Sequence, residues 1–223
     1  ANAGYRWWLG HDDGRWVGAT DIRAVGLPVS VREVVGRRLD ALGPDSARVL
    51  SHAAVIGRDF DIGLLAAVTD ITVDAVIDLC DAAVAAAVLQ TTDDPDRYTF
   101  AHALIEHTLY DGLSPARRTR AHRAIAEQLE ADSVDPGRRA AELAHHWAAA
   151  VQPADATKAI HYAQLAGERA LEQLAPDDAV GWFSRALEHL GRAQDVDPRL
   201  RAELLLGLGE AQRQCGIGAH RET

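Results

Sequence analysis

Ten histidines and a single lysine bound the chemistry open to this chain of 223 residues. His102-Ala103-Leu104-Ile105-Glu106-His107 sets two imidazoles around a carboxylate, but it is one residue longer than the His-x-x-Glu-His metalloprotease pattern. On a helix an offset of five turns the second ring about 140° from the first, so His102 and His107 do not converge on one ion. His145 and His146 are adjacent and are expected to point apart as well, so no metal site is expected. A phosphate loop needs glycines whose amides cradle the phosphates and a lysine that neutralises them. Lys158 is the only lysine, and Ala156-Thr157 and Ala159-Ile160 flank it with no glycine near. The chain by itself is therefore not a phosphate-loop ATPase. It carries no Gly-x-Ser-x-Gly elbow, and neither Cys80 nor Cys215 falls in a Cys-x-x-Cys or Cys/His metal spacing. No enzyme is expected from these residues alone.

Charge bears on nucleic-acid binding in the same direction. The 33 acidic residues outnumber the 23 basic ones, for a net charge of -10, which opposes the phosphate neutralisation behind most nucleic-acid affinity. The one basic run, Arg117, Arg118, Arg120 and Arg123, lies near Asp111 and Glu127, where it is a candidate interaction surface or a solvated or interdomain face. Two distant cysteines fit a reducing, cytoplasmic setting. No apolar run approaches the ~18 residues of a membrane span, and the amino terminus lacks a secretory pattern. Methionine is absent, even at position 1, so the chain is expected to be a processed product or a piece of something larger.

These residues sit on a mainly α-helical chain. Arg6-Trp7-Trp8-Leu9-Gly10 and Arg15-Trp16-Val17 flank Asp13-Gly14 as a small hairpin. Ser30 with Glu33 forms a capping box for a helix that stops at Gly43-Pro44. A second helix runs from about Asp45 to Gly57, and a short third one carries Ile62, Leu64, Leu65 and Val68. Thr72 caps a fourth, with Val73, Val76, Ile77, Cys80, Val84 and Val88 on one side and Asp74, Asp78 and Asp81 on the other. Val88–Thr91 and Arg97–Phe100 then read as strands joined by the polar turn Asp93-Asp94-Pro95-Asp96. Helices followed by such a hairpin describe a winged helix. A DNA-reading helix would present Arg, Lys, Asn or Gln to the bases. This one presents aspartates, so direct DNA binding is not expected.

After the hairpin come helices from about His102 to Gly112, from Pro115 through Leu129 and from about Gly137 to Val151. Alanine-rich helical pairs follow, about Asp155–Leu174 and Asp177–Leu190. Gly167, Ala179, Phe183 and Ala186 fit the small-residue-and-aromatic pattern of tetratricopeptide repeats, with a further start at Leu208-Gly209-Glu210. Trp147, Tyr162, Trp182 and Phe183 are candidates for the lining of a ligand or peptide groove, with core packing as the alternative. The chain thus reads as a hairpin or linker over 1–27 and a winged-helix-like domain over 28–113. A helical linker over 114–152 and truncated tetratricopeptide-like repeats over 153–223 follow.

Four stretches carry a resemblance. They are Leu27-Pro28-Val29-Ser30-Val31-Arg32-Glu33-Val34-Val35-Gly36-Arg37-Arg38-Leu39, Ala53-Ala54-Val55-Ile56-Gly57-Arg58-Asp59-Phe60, Tyr98-Thr99-Phe100-Ala101-His102-Ala103-Leu104-Ile105-Glu106-His107-Thr108-Leu109-Tyr110, and Arg120-Ala121-His122-Arg123-Ala124-Ile125-Ala126. In order and spacing they resemble the middle of large bacterial STAND-type (AAA/NACHT-like) signal-transduction ATPases, which include LuxR-type transcriptional regulators and cyclase-fused ATPase modules. The resemblance implies a winged-helix regulatory domain that packs on an ATPase and helps hold its ADP-bound resting state. A helical linker and sensor repeats would follow. It also implies a nucleotide-sensing role for His102, which matches the family histidine near the bound phosphates. ATP or ADP would belong to the larger protein, and this chain would hold no cofactor. Its partners would be the nucleotide-binding domain of the same protein and a protein or small-molecule signal at the repeats. No nucleotide-binding domain, completed repeat or output domain is present in the sequence. The alternative is a self-contained winged-helix transcription factor.

Overall fold

The computed structural model describes residues 10–12, 15–17, 29–133, 135–150, 153–192 and 197–216. Strands β1 (Gly10–Asp12) and β2 (Arg15–Val17) pair antiparallel, His11 opposite Trp16. The rest of the expected amino-terminal hairpin, the side chains of the Ser30/Glu33 capping box and the end of the chain beyond Gly216 lie outside the described residues.

Helices α1 (Val29–Leu42) and α2 (Pro44–Ile56) are separated by Gly43 alone, whose φ of 84° is a conformation that side-chain-bearing residues rarely adopt. Strand β3 (Asp59–Asp61) leads into α3 (Ile62–Thr69), where the Asp61 carboxylate accepts the Leu64 N–H at 2.9 Å. Thr72 does the same for Ala75 at the start of α4 (Val73–Ala85). This helix stops three residues short of Val88. Ala87 takes a left-handed φ of 54°, with Ala87 N–H on the Val84 carbonyl and Val88 N–H on the Ala83 carbonyl. Those two bonds satisfy the last carbonyls and turn the chain into the sheet. Leu174 at φ 58° ends a later helix in the same way.

Strands β4 (Leu89–Thr91) and β5 (Arg97–Phe100) form the expected hairpin. β3 completes a small antiparallel sheet of order β3-β5-β4, pairing Phe60 with Tyr98. Sequence patterning did not reveal β3 as a strand. Three residues bury one side chain, Phe60, and one buried position has no period. Leu50, Phe60, Leu65, Val76, Cys80, Leu89 and Phe100 make the first core. Burial, with Asp81 adding repulsion, pushes the Cys80 thiol up to about 12, so it is an inert packing group.

Helix α5 (Ala103–Gly112) leaves the sheet for α6 (Pro115–Asp132). A 3-10 turn (Pro136–Arg139) then precedes α7 (Ala140–Ala149), and α8 (Pro153–Glu172), α9 (Pro176–Leu190) and α10 (Pro198–Gln214) complete the array. Helices α6 and α7 fall within the stretch expected as a helical linker. Ile125, Leu129, Leu143 and Trp147 share one core with Phe183 and Leu204, and Val55 and Leu64 of the first unit reach into it. Ile56 and Tyr110 pack on both cores. The helix foreseen at Leu208 begins ten residues earlier, where Asp197 accepts the Arg199 N–H at 2.8 Å. The described residues are therefore mainly helical, with a three-stranded antiparallel sheet and the separate β1–β2 pair, and no described helix is long and apolar enough to cross a membrane.

Phe183 of α9 fixes how closely three helices approach. A Cβ added to Gly167 of α8 would lie 2.9 Å from its ring, and one added to Gly207 of α10 would lie 2.6 Å away. Gly209, one step along α10, has open space at the same position. Alanine is favoured over glycine in a helix by ~1 kcal/mol, whereas overpacking a core costs ~1–3 kcal/mol. Urea denaturation is expected to show Gly209→Ala stabilising by up to ~1 kcal/mol and Gly207→Ala destabilising by ~1–2 kcal/mol. Phe183→Leu in the Gly207→Ala background should recover part of the loss.

Candidate functional site

His102 stands where β5 hands over to α5. It is the N-cap residue of α5, with extended dihedrals (φ -141°, ψ 138°), yet its imidazole makes no capping hydrogen bond. The backbone carbonyl caps instead, accepting the Ile105 N–H at 2.9 Å. The exposed ring is thus left out of helix capping at an end where the first amides of α5 emerge. His107 is engaged elsewhere, 3.0 Å from Asp111.

The basic run divides. Arg117 and Arg120 are exposed. Arg118 folds back on the end of α5, donating to the Leu113 carbonyl at 2.9 Å and lying 4.9 Å from the Tyr110 ring centre. It closes a helix end, so of the three arginines offered as an interaction surface it is tied into the fold. Arg123 pairs with Glu127 at 3.7 Å. Helix α4 carries Asp74, Asp78 and Asp81 exposed and no cation at all. Asp81 accepts the Tyr98 hydroxyl at 2.9 Å, and burial together with that bond pushes Tyr98 up to about 12.

Three of the four candidate groove aromatics belong to the core. Trp147 and Phe183 are 2% exposed and Tyr162 is 8% exposed, whereas Trp182 is half-buried with Arg185 over its ring at 4.8 Å. The apolar stripes of α7, α8 and α9 turn inward on one another, so only Trp182 offers surface. Trp147 and Tyr162 meet at Glu130. Its carboxylate accepts the Trp147 indole N–H at 3.1 Å and the Lys158 ammonium at 2.6 Å, and also bonds the Tyr162 hydroxyl. Lys158 also sits 4.1 Å over the Trp147 ring, so the chain's one lysine is a structural cation.

A polar cluster that residue spacing did not reveal joins α5, α6 and α7. His122, 1% exposed, has its Nδ1 2.8 Å from Nδ1 of His146, which is fully buried. Its Nε2 lies 3.0 Å from the Tyr110 hydroxyl. His145 and His146, expected to point apart, both bring their rings against His122, at centroid distances of 5.6 and 5.1 Å. Neighbouring helix positions differ by about 100°, but imidazoles are long enough to straddle one partner seated between them. His122 stands 23 residues before His145, so no spacing on one element could signal the cluster. Burial holds both inner rings neutral. His122 falls to about 4, with His145 and Arg118 adding repulsion, and His146 falls well below its ordinary value, with His122 and His145 adding to its burial.

A surface cleft of about 740 Å³ lies between α3, the end of α6 and the 3-10 turn. Its charged lining is already engaged: Asp61 caps α3, and Asp135 accepts from Gly137 and from Arg169 at 3.0 Å. No protein-family model matches the chain, and no curated protein or solved structure is significantly similar to it.

Both inner histidines titrate lower when folded than the 6.5 they have when exposed, so the unfolded chain binds more protons in the interval between. Their contribution to stability is complete above pH 6.5 and is lost as pH falls from 6.5 toward about 4. The urea midpoint is expected to drop between about pH 7.5 and pH 5, and a His122→Asn variant to show a shallower drop over the same interval.

Proposed function

We propose that this chain is the regulatory and interaction segment of an ATP-dependent bacterial signalling or transcriptional regulator, coupling nucleotide state to a helical-repeat sensor without catalysis of its own. The observation that carries the reading is the order of elements around the sheet. From α2 the chain runs helix, strand, helix, helix, strand, turn, strand, with the last strand central, an order that supports the winged-helix reading. Further along, α8, α9 and α10 pack with the aromatic Phe183 between Gly167 and Gly207, which supports the reading of tetratricopeptide-like repeats.

The division of surfaces supports a role between protein domains. The helix that would read DNA in a winged helix is α4, and its open face is aspartate. A single side chain able to bind a phosphate, exposed His102, stands instead at the start of α5, the position an adjoining nucleotide-binding domain would occupy in the STAND-type arrangement. An imidazole there can donate to a phosphate and lose that bond when the domains rotate. The nucleotide, ATP or ADP, would sit on the adjoining domain, because Lys158 is committed to Glu130 and Trp147. The signal, a protein or small molecule, would be received by α8–α10.

An antibody against this segment, used on lysate of the source cells, is expected to detect a species well above 24.0 kDa that retains ADP through purification. A nucleotide-free 24.0 kDa species that binds duplex DNA with a steep salt dependence would overturn the proposal in favour of a self-contained transcription factor. In the larger protein, loss of a hydrogen bond to a charged group is worth ~1.5–3 kcal/mol. His102→Ala should therefore speed ADP release by at least about tenfold, and an unchanged release rate would remove His102 from the sensing role.

A further inference from the structure

We infer that His122, His145 and His146 form a binding site for a divalent transition-metal ion of the zinc class, placed where α5, α6 and α7 meet. Each residue offers a ring nitrogen, and the three nitrogens lie within 4.8 Å of one another. An all-imidazole set suits zinc, nickel and copper rather than magnesium or calcium. At Zn–N distances of ~2.0–2.1 Å, two ligand nitrogens of a tetrahedral ion stand about 3.3 Å apart. The 2.8 Å between Nδ1 of His122 and Nδ1 of His146 needs to open by about 0.5 Å to reach that spacing. His145 is the exposed member, and its ring centre lies 5.6 Å from that of His122 and 5.2 Å from that of His146.

The hydrogen bonding around the cluster supports this use. Two imidazole nitrogens 2.8 Å apart need a proton between them, and a cation can take the place of that proton. The displaced proton moves to Nε2 of His146, so the step needs no other reactant. On the far side of His122, the Tyr110 hydroxyl lies 3.0 Å from Nε2, where it can accept the N–H and leave Nδ1 bare toward the ion. Such an outer partner fixes the tautomer of a ligating histidine. His146 Nε2 is buried with no hydrogen-bond partner. An apolar residue would fill that place without an unmet ring nitrogen, so packing alone does not account for a histidine there. Arg118, a cation that acts on His122, is offset by Asp111 at 3.7 Å. Three protein ligands leave the fourth position of a tetrahedral ion to water or an incoming ligand on the exposed His145 side. A bound ion would cross-link α6 to α7 and, through Tyr110, hold α5.

The test uses the full chain with any affinity tag removed, titrated with Zn²⁺ by calorimetry and with Co²⁺ by visible absorption. One ion per chain and a tetrahedral Co²⁺ spectrum are expected. His145→Ala changes a surface side chain and should weaken Zn²⁺ binding by more than the ~10–100-fold that loss of an outer-shell partner costs. His161→Ala, an exposed histidine on α8, should leave binding unchanged. Absence of one-equivalent binding, or binding that His145→Ala leaves intact, overturns the site. Imidazole ¹⁵N resonances of the unsubstituted protein supply a readout that does not depend on a variant folding. Zn²⁺ should move the Nδ1 signals of His122 and His146, and movement confined to other histidines overturns the assignment.

Discussion

The seam between the two cores carries a buried chain of polar rings, and the placement of α5, α6 and α7 depends on it. Tyr110 bonds His122, and His122 bonds His146, across three helices whose other ties are apolar contact and two more exposed polar links, Arg118 to the end of α5 and Trp147 to Glu130. Apolar contact alone tolerates sliding, because it has no direction. A hydrogen-bonded pair at 2.8 Å does not tolerate it, since a small displacement leaves two ring nitrogens buried and unmet. Ile56 and Tyr110, each packed on both cores, supply the apolar half of the same seam. The first unit and the helical array therefore share one register.

The elements that a sequence reveals are those with enough residues to show a period or a cap. Helix α4 and the β4–β5 hairpin were legible from their apolar spacing, from Thr72 and from the aspartate-rich turn. The stop at Ala87 was not, because its signal is a left-handed alanine where glycine is the usual marker. The start of α10 was missed for a different reason. Its first two turns expose Leu205 and Leu206 while burying Leu204, so the apolar residues there do not trace one face.

The candidate site was legible only in part. His102 was singled out only by the family resemblance, and the structure adds that its ring does not cap α5. The aromatics were visible as candidates, but residue type does not distinguish a groove from a core; the facing helices that cover Trp147, Tyr162 and Phe183 decide it. Arg118 looked like one member of a basic run, and the fold assigns it to the exposed carbonyls at the end of α5. The histidine cluster is the most distant from sequence logic, because its members come from two helices and its orienting hydroxyl from a third. Only the crossing of those helices creates it.

The seating of Phe183 between two glycines also sets the mechanics of the distal array. A flat ring gripped from both sides by backbone leaves no slack for α9 to tilt independently of its neighbours. A push delivered to α10 would pass through that ring to α8, and from α8 through the Lys158–Glu130 pair into α6. Gly167, Phe183 and Gly207 thus seat α8, α9 and α10 as one packed layer, and the Lys158–Glu130 pair ties the inner end of that layer to α6.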